Sequence, residues 1–151
     1  MTKCIIDEFG GQDGASAAFI VRSKAQIAFQ SVRIANNRNT RGPALIKAES
    51  DSVVTIRDSR FEKNVGRDAS ILEAGSATRL VISRSRFHRN RGSSGVAVLN
   101  DPKRVAILNS TFTQNVATRR TGGALRIKVS QIPLHALRNS VTCRVARRWG
   151  P

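Results

Sequence analysis

The sequence predicts an all-β chain wound as a parallel solenoid. Three observations predict it. A motif ending in Asn recurs four times, the inward positions before each Asn repeat one spacing, and a further apolar stretch follows each Asn after a small turn. The motif reads SRFEKN at 59–64, SRFHRN at 85–90 and STFTQN at 110–115, and VRIANN at 32–37 fits the same frame through Ile34. The closing Asn falls at 37, 64, 90 and 115, a period of 27, 26 and then 25 residues. A period of this length marks stacked structural repeats.

Reading back from each Asn, the inward positions step by 2, 3, 2 and 3 residues. They are Leu80, Ile82, Ser85 and Phe87 before Asn90, and Val54, Ile56, Ser59 and Phe61 before Asn64. Val105, Ile107, Ser110 and Phe112 precede Asn115, and Ile27, Phe29, Val32 and Ile34 precede Asn37. A step of two keeps side chains on one face of a strand. A step of three breaks that phase, so the chain must turn a corner to keep pointing inward. The spacing has no sustained 3.6 period, and Val, Ile, Phe and Thr dominate, which argues against helix.

After each Asn comes a third apolar piece: PALI at 43–46, SIL at 70–72, GVAVL at 95–99 and GALRI at 123–127. Turn-forming stretches such as ESDS at 49–52, GSATR at 75–79 and NDPK at 100–103 lead to the next unit. Three strand pieces per coil of about 25 residues, stacked at roughly 4.8 Å, describe the solenoid. Equal positions then lie above one another. Phe61, Phe87 and Phe112 are expected to form an internal stack with Ile34 at its end. Asn37, Asn64, Asn90 and Asn115 are expected to form an amide ladder at a corner, each donating to one neighbour and accepting from the other.

Towards the N-terminus Cys4, Ile6 and Phe9 keep the stepping, with GASAAFI at 14–20 as a third piece. Towards the C-terminus Val129, Gln131, Leu134, Ala136 and Asn139 keep it more weakly. The chain therefore reads as one solenoid over 1–140, best defined over 27–128, followed by a basic tail at 141–151. Neither end shows a polar cap, so end-to-end association or continuation into a longer solenoid is expected.

The chain carries 26 basic against 10 acidic residues, a net charge of +16, and 20 of the basic residues are Arg. Such a surface attracts polyanions non-specifically, and an Arg-rich composition alone also accounts for it. The two cysteines, Cys4 and Cys143, make neither a disulfide framework nor a metal-ligand or redox spacing. No apolar run reaches membrane-spanning length, and the first residues are too short in apolar character for a signal peptide. No cofactor and no metal is expected.

The stretch Phe112-Thr-Gln-Asn115 followed by Gly122-Gly123-Ala124-Leu125 resembles the F-x-x-N and G-G-A-[I/L/V] signature of the polymorphic outer-membrane-protein repeat. That repeat belongs to the right-handed parallel β-helix proteins of the pectin-lyase-like superfamily. The resemblance implies a right-handed parallel β-helix, here of about five coils of roughly 25–27 residues. It also implies an extracellular or cell-surface setting and a role in adhesion.

Outward positions supply the candidate sites. Arg33, Arg60 and Arg86 share a column that ends in Thr111, and Lys63 and Arg89 make a second one. A guanidinium presents a planar fork of donors to carboxylate, sulfate or phosphate, so this basic strip is expected to hold an acidic polysaccharide. The plainer expectation is a solvated Arg face whose aliphatic stems cover the strands. The rival class is a polysaccharide lyase or glycoside hydrolase. Hydrolysis ordinarily needs two carboxylates across the scissile bond, and the acids do not share columns: Asp58 lies over Arg84, and Glu62 lies over His88. Glu49, Glu73 and Asp101 form only a loose grouping, His88 has no nucleophile in register, and His135 sits in the weakly patterned C-terminal coil. Nothing marks a nucleic-acid-binding motif, since the Phe residues are placed inside. The expectation is therefore a non-catalytic binding module, with no catalytic residues assigned.

Overall fold

The computed structural model describes residues 4–7, 18–39, 45–119 and 123–128. Every strand pairing in it is parallel, and each strand lies on its equivalent one repeat away. One coil consists of Val53–Arg57, Arg60–Glu62, Val65–Gly66 and Leu72–Ala74. Its equivalents stack into four sheets, two of five strands and two of four, which form a β-solenoid of about four turns. The register is the one the repeat predicts. Ile27 pairs with Val54, Val54 with Leu80 and Leu80 with Val105. At the N-terminal end Cys4–Asp7 pairs with Val32–Ala35, so the stepping read through Cys4 and Ile6 continues the sheet. Phe9, the stretch 129–139 and the tail 141–151 lie outside the described residues.

Each coil has four strand pieces rather than three. The extra one is a two-residue strand directly after each Asn: Arg38–Asn39, Val65–Gly66, Arg91–Gly92 and Val116–Ala117. Two residues offer one outward and one inward position, too few to show a period. The inward one is Gly66 or Gly92 in the middle coils. A Cβ on Gly66 would come within 1.9 Å of the Ala69 carbonyl oxygen, and one on Gly92 within 2.7 Å of that of Gly95. The chain folds back too tightly there for any side chain. The next strands start accordingly late, at Leu72 and Ala97 rather than at Ser70 and Gly95.

The three-residue steps are corners made by single residues in the left-handed conformation. Ser31, Asp58, Arg84 and Asn109 form one column, with φ of 55°, 50°, 47° and 48°. Asn36, Lys63, Arg89 and Gln114 form a second, at 56°, 53°, 53° and 53°. Lys24, Asp51, Ala77 and Asp101 form a third, at 63°, 59°, 55° and 43°. Each inverts the local handedness once; in the first two columns this redirects the chain between adjacent strands without a loop, while Lys24, Asp51 and Ala77 of the third lie in short turns between strands. Their amides continue the inter-coil bonding: Asp58 N–H donates to Ser83 O (3.1 Å), Lys63 N–H to His88 O (3.0 Å) and Ala77 N–H to Asp101 O (2.8 Å). A non-Gly residue in this region costs about 1–2 kcal/mol, against about 0.5–1 kcal/mol of added unfolded-state entropy for Gly. Ala77→Gly is therefore expected to raise stability by a net of about 0.5–1 kcal/mol in urea denaturation.

The core is a column of stacked side chains. Phe61 and Phe87 lie parallel with ring centroids 5.0 Å apart, as do Phe87 and Phe112 at 4.5 Å. Ile34 pairs with Phe61 and is fully buried, ending the column as predicted. In that coil the aromatic ring sits one strand earlier: Phe29 pairs with Ile56 and meets Phe61 edge-on at 6.4 Å. The exchange of Phe29 and Ile34 for Ile56 and Phe61 keeps the summed core volume, the kind of swap that packing tolerates.

Two polar ladders hold the corners. Each Asn Oδ1 accepts from both the backbone N–H and the Nδ2 of the Asn one coil earlier. The distances are 3.1 and 2.9 Å for Asn37 to Asn64, 3.0 and 3.0 Å for Asn64 to Asn90, and 2.9 and 3.1 Å for Asn90 to Asn115. The second Nδ2 proton of Asn64, Asn90 and Asn115 goes to the carbonyl of Ile34, Phe61 and Phe87. Ser59, Ser85 and Ser110 make a second ladder, in which each Oγ accepts the amide of Val32, Ser59 or Ser85 (3.3, 3.1 and 3.1 Å). Each Oγ also donates to the carbonyl two residues back, on Arg57, Ser83 or Leu108. Among the described residues no buried side-chain polar atom lacks a partner.

Candidate functional site

The core consumes the Phe, Ser and Asn columns, so chemistry is left to outward side chains. Arg33, Arg60, Arg86 and Thr111 do share one column, as their strand register shows. The strip is not a continuous positive charge, however. Glu62 lies two residues beyond Arg60 on the same strand face. Its Oε1 is 3.1 Å from Arg60 Nε and its Oε2 is 3.6 Å from Arg33 Nη2. One carboxylate thus serves two of the three guanidiniums, and among the described residues Arg86 alone of the three has no carboxylate partner.

Next to Arg86 on the strand, His88 holds Thr113 Oγ1 at 2.9 Å through Nδ1. Desolvation first, then the nearby charges of Arg86 and Arg89, lower its pKa below the ordinary histidine value, against the opposing pull of Glu62. It is therefore a neutral surface ring at pH 7. In the second column Arg89 Nε donates to Gln114 Oε1 at 2.7 Å, which fixes its direction, while Lys63 is exposed.

Other acids are also held by Arg. Asp58 accepts from Arg84 through both oxygens, at 2.7 and 2.9 Å, and this bidentate contact holds its carboxyl below the usual range. Glu49 accepts from Arg22 Nη1 (2.9 Å) and the Ser23 amide (3.1 Å), which likewise lower its pKa. Glu49 and Glu73 line one shallow depression together with Lys47 and Asn100. Asp101 is not part of its lining, since it occupies a corner over Ala77. Among the described residues no three acids, histidines or cysteines approach closely enough to hold a metal.

A groove that the repeat pattern did not indicate lies round the Asn corner from the strip. It is open, about 830 Å³ in volume, and runs along the two-residue strands. Its lining includes Arg38, Arg67, Arg91 and Arg119, with Asp68 as the acid. The four Arg follow their Asn by one, three, one and four residues, so no fixed offset reveals them. The only signal was that each Asn is followed by an Arg within four residues. Strip and groove lie on the two sides of the Asn corner, and each contains both Arg and an acid, Glu62 in the strip and Asp68 in the groove.

Stacked parallel coils with polar ladders at the corners define a β-solenoid repeat protein. Residues 1–132 match the family model of the right-handed β-helix region, and the chain belongs to that family. No curated protein and no solved structure shows significant similarity to it.

Proposed function

We infer that the chain is a non-catalytic β-helix module that binds acidic polysaccharide. The observation carrying this reading is the recurrence of cationic side chains: Arg60 and Arg86, and likewise Lys63 and Arg89, follow one another at strand spacing, while Arg38 and Arg91 recur two coils apart. A linear polyanion laid along the axis meets one rung after another. The resemblance to the polymorphic outer-membrane-protein repeat of the pectin-lyase-like superfamily, carried by Phe112, Asn115 and Gly122-Gly123-Ala124, supports placing it within a surface or secreted adhesin-like protein. A lyase or hydrolase reading has less support. Glu49 and Asp58 are ion-paired with Arg, which favours their charged forms and counts against either as a general acid.

Retention on immobilised heparin and polygalacturonate, measured against salt, tests the reading. Retention is expected, with elution at moderate salt as solvent-exposed charges are screened. Replacing Arg33, Arg60 and Arg86 together with Ser is expected to lower the eluting salt concentration. Glu62→Gln is expected to raise it, because it frees Arg33 and Arg60 from their shared carboxylate. A wild-type chain that passes through both resins refutes polyanion binding.

A further inference from the structure

The floor of the groove carries an alternation that the strip lacks. Strand register places Arg38 on Val65, Val65 on Arg91 and Arg91 on Val116. Going up the axis, outward side chains therefore read cation, apolar, cation, apolar. Arg38 and Arg91 are both exposed, and neither makes an ion pair among the described residues, unlike Arg33 and Arg60. Val116 is 49% exposed and lies in the same outward column as Arg91. Arg67 and Arg119 stand at the side of the same groove. Two rungs amount to about 9.5 Å, twice the spacing of paired strands.

We propose that this groove selects linear polysaccharides bearing one acidic group per disaccharide. The proposal rests on the polysaccharide-binding reading above and adds the charge period of the ligand. A chain with a carboxylate on every sugar presents a charge to each rung, and every second one then faces Val65 or Val116, whose side chains offer no donor, with Arg67 and Arg119 at the side of the groove as the nearest cations of those coils. A chain with a carboxylate on alternate sugars matches Arg38 and Arg91 with its acids. It leaves the C–H face of the intervening sugar over each Val. Electrostatic complementarity of this kind discriminates between ligands by placing mismatched groups without partners.

The experiment measures binding of the full chain to size-matched hyaluronan and polygalacturonate oligosaccharides by calorimetry at fixed ionic strength. Hyaluronan has one carboxylate per disaccharide, and polygalacturonate has one per sugar. Hyaluronan is expected to bind at least tenfold more tightly per carboxylate. Arg38→Ala with Arg91→Ala is expected to abolish that preference while leaving the melting curve intact, since both side chains are exposed. Val65→Arg, which puts Arg on three successive rungs, is expected to move the preference towards polygalacturonate. Equal affinities in the wild type, or a preference unmoved by the double variant, overturn the alternation and leave polyanion binding standing. Binding of neither sugar removes both ideas, and tighter binding of a single-stranded oligonucleotide than of either sugar overturns the proposal in favour of nucleic acid.

Discussion

Phe87→Asp is expected to abolish the cooperative thermal transition of the solenoid. Phe87 is 1% exposed and lies between two parallel rings, at 5.0 Å from Phe61 and 4.5 Å from Phe112. Removing such a ring alone costs about 3–5 kcal/mol, and the two ring contacts add about 0.5–1.5 kcal/mol each. The carboxylate that replaces it has no donor in the column, so it must be buried unpaired or taken up protonated. A single domain has about 5–15 kcal/mol to lose. Position matters as well as chemistry. A solenoid coil touches only its neighbours, so a defect in the middle uncouples the coils on either side. Phe87→Leu, which keeps an apolar side chain in the column, is the control and is expected to retain a cooperative melt at lower temperature. Phe112→Ala is expected to cost less than Phe87→Ala, because Phe112 stacks on one ring among the described residues. Circular dichroism against temperature reads all four. A Phe87→Asp chain that melts like the wild type contradicts an inward aromatic column.

The architecture was legible because a parallel solenoid writes its register into the sequence. Equal positions in successive coils meet the same neighbours, so Phe61, Phe87 and Phe112 had to repeat, as did the Asn closing each motif. Corners were legible only as three-residue steps. The residue types that make them, Asp58, Arg84, Lys63 and Ala77 among them, share no side-chain chemistry. What they share is a backbone conformation enforced by the bonding of adjacent coils, and that leaves no mark on composition. The serine ladder was visible as a repeated inward Ser, but its role needed the Oγ geometry. Outward residues were placed in the correct columns, yet the neutralisation of Arg33 and Arg60 by Glu62 is diagonal, running between columns and, for Arg33, between coils. The groove was hidden for a different reason: its Arg residues follow the Asn at unequal distances, so periodic reading passes over them. Inward positions are dictated by packing, and outward ones are free of that constraint.

Asn90→Ala is expected to destabilise the chain by about 3 kcal/mol, more than the loss of one ordinary hydrogen bond. Asn90 is fully buried, and its Oδ1 is the acceptor for both the backbone N–H and the Nδ2 of Asn64, each at 3.0 Å. The Asn64 Nδ2 keeps the Ile34 carbonyl, but the Asn64 amide is left in the interior with nothing to donate to. An orphaned buried donor costs about 1–3 kcal/mol, and the emptied amide volume adds a cavity. Asn90→Asp separates the ladder from simple packing, because it preserves shape and the acceptor while deleting the donors. Its carboxylate is then directed at the Asn115 Oδ1 and Phe61 carbonyl oxygens that now receive Nδ2 protons. Burial and two facing acceptors raise the folded pKa of that Asp above its unfolded value. A group raised in this way binds more protons folded than unfolded, so its stability is fullest below the unfolded pKa and is lost as pH rises through the folded one. Asn90→Asp should therefore approach the wild type in acid and fall away towards neutrality, measured by urea denaturation across that range. The Asn90→Ala deficit should show no such dependence. A flat pH profile for Asn90→Asp would mean that the ladder is a coincidence of packing, and that its amides do not hold the corner.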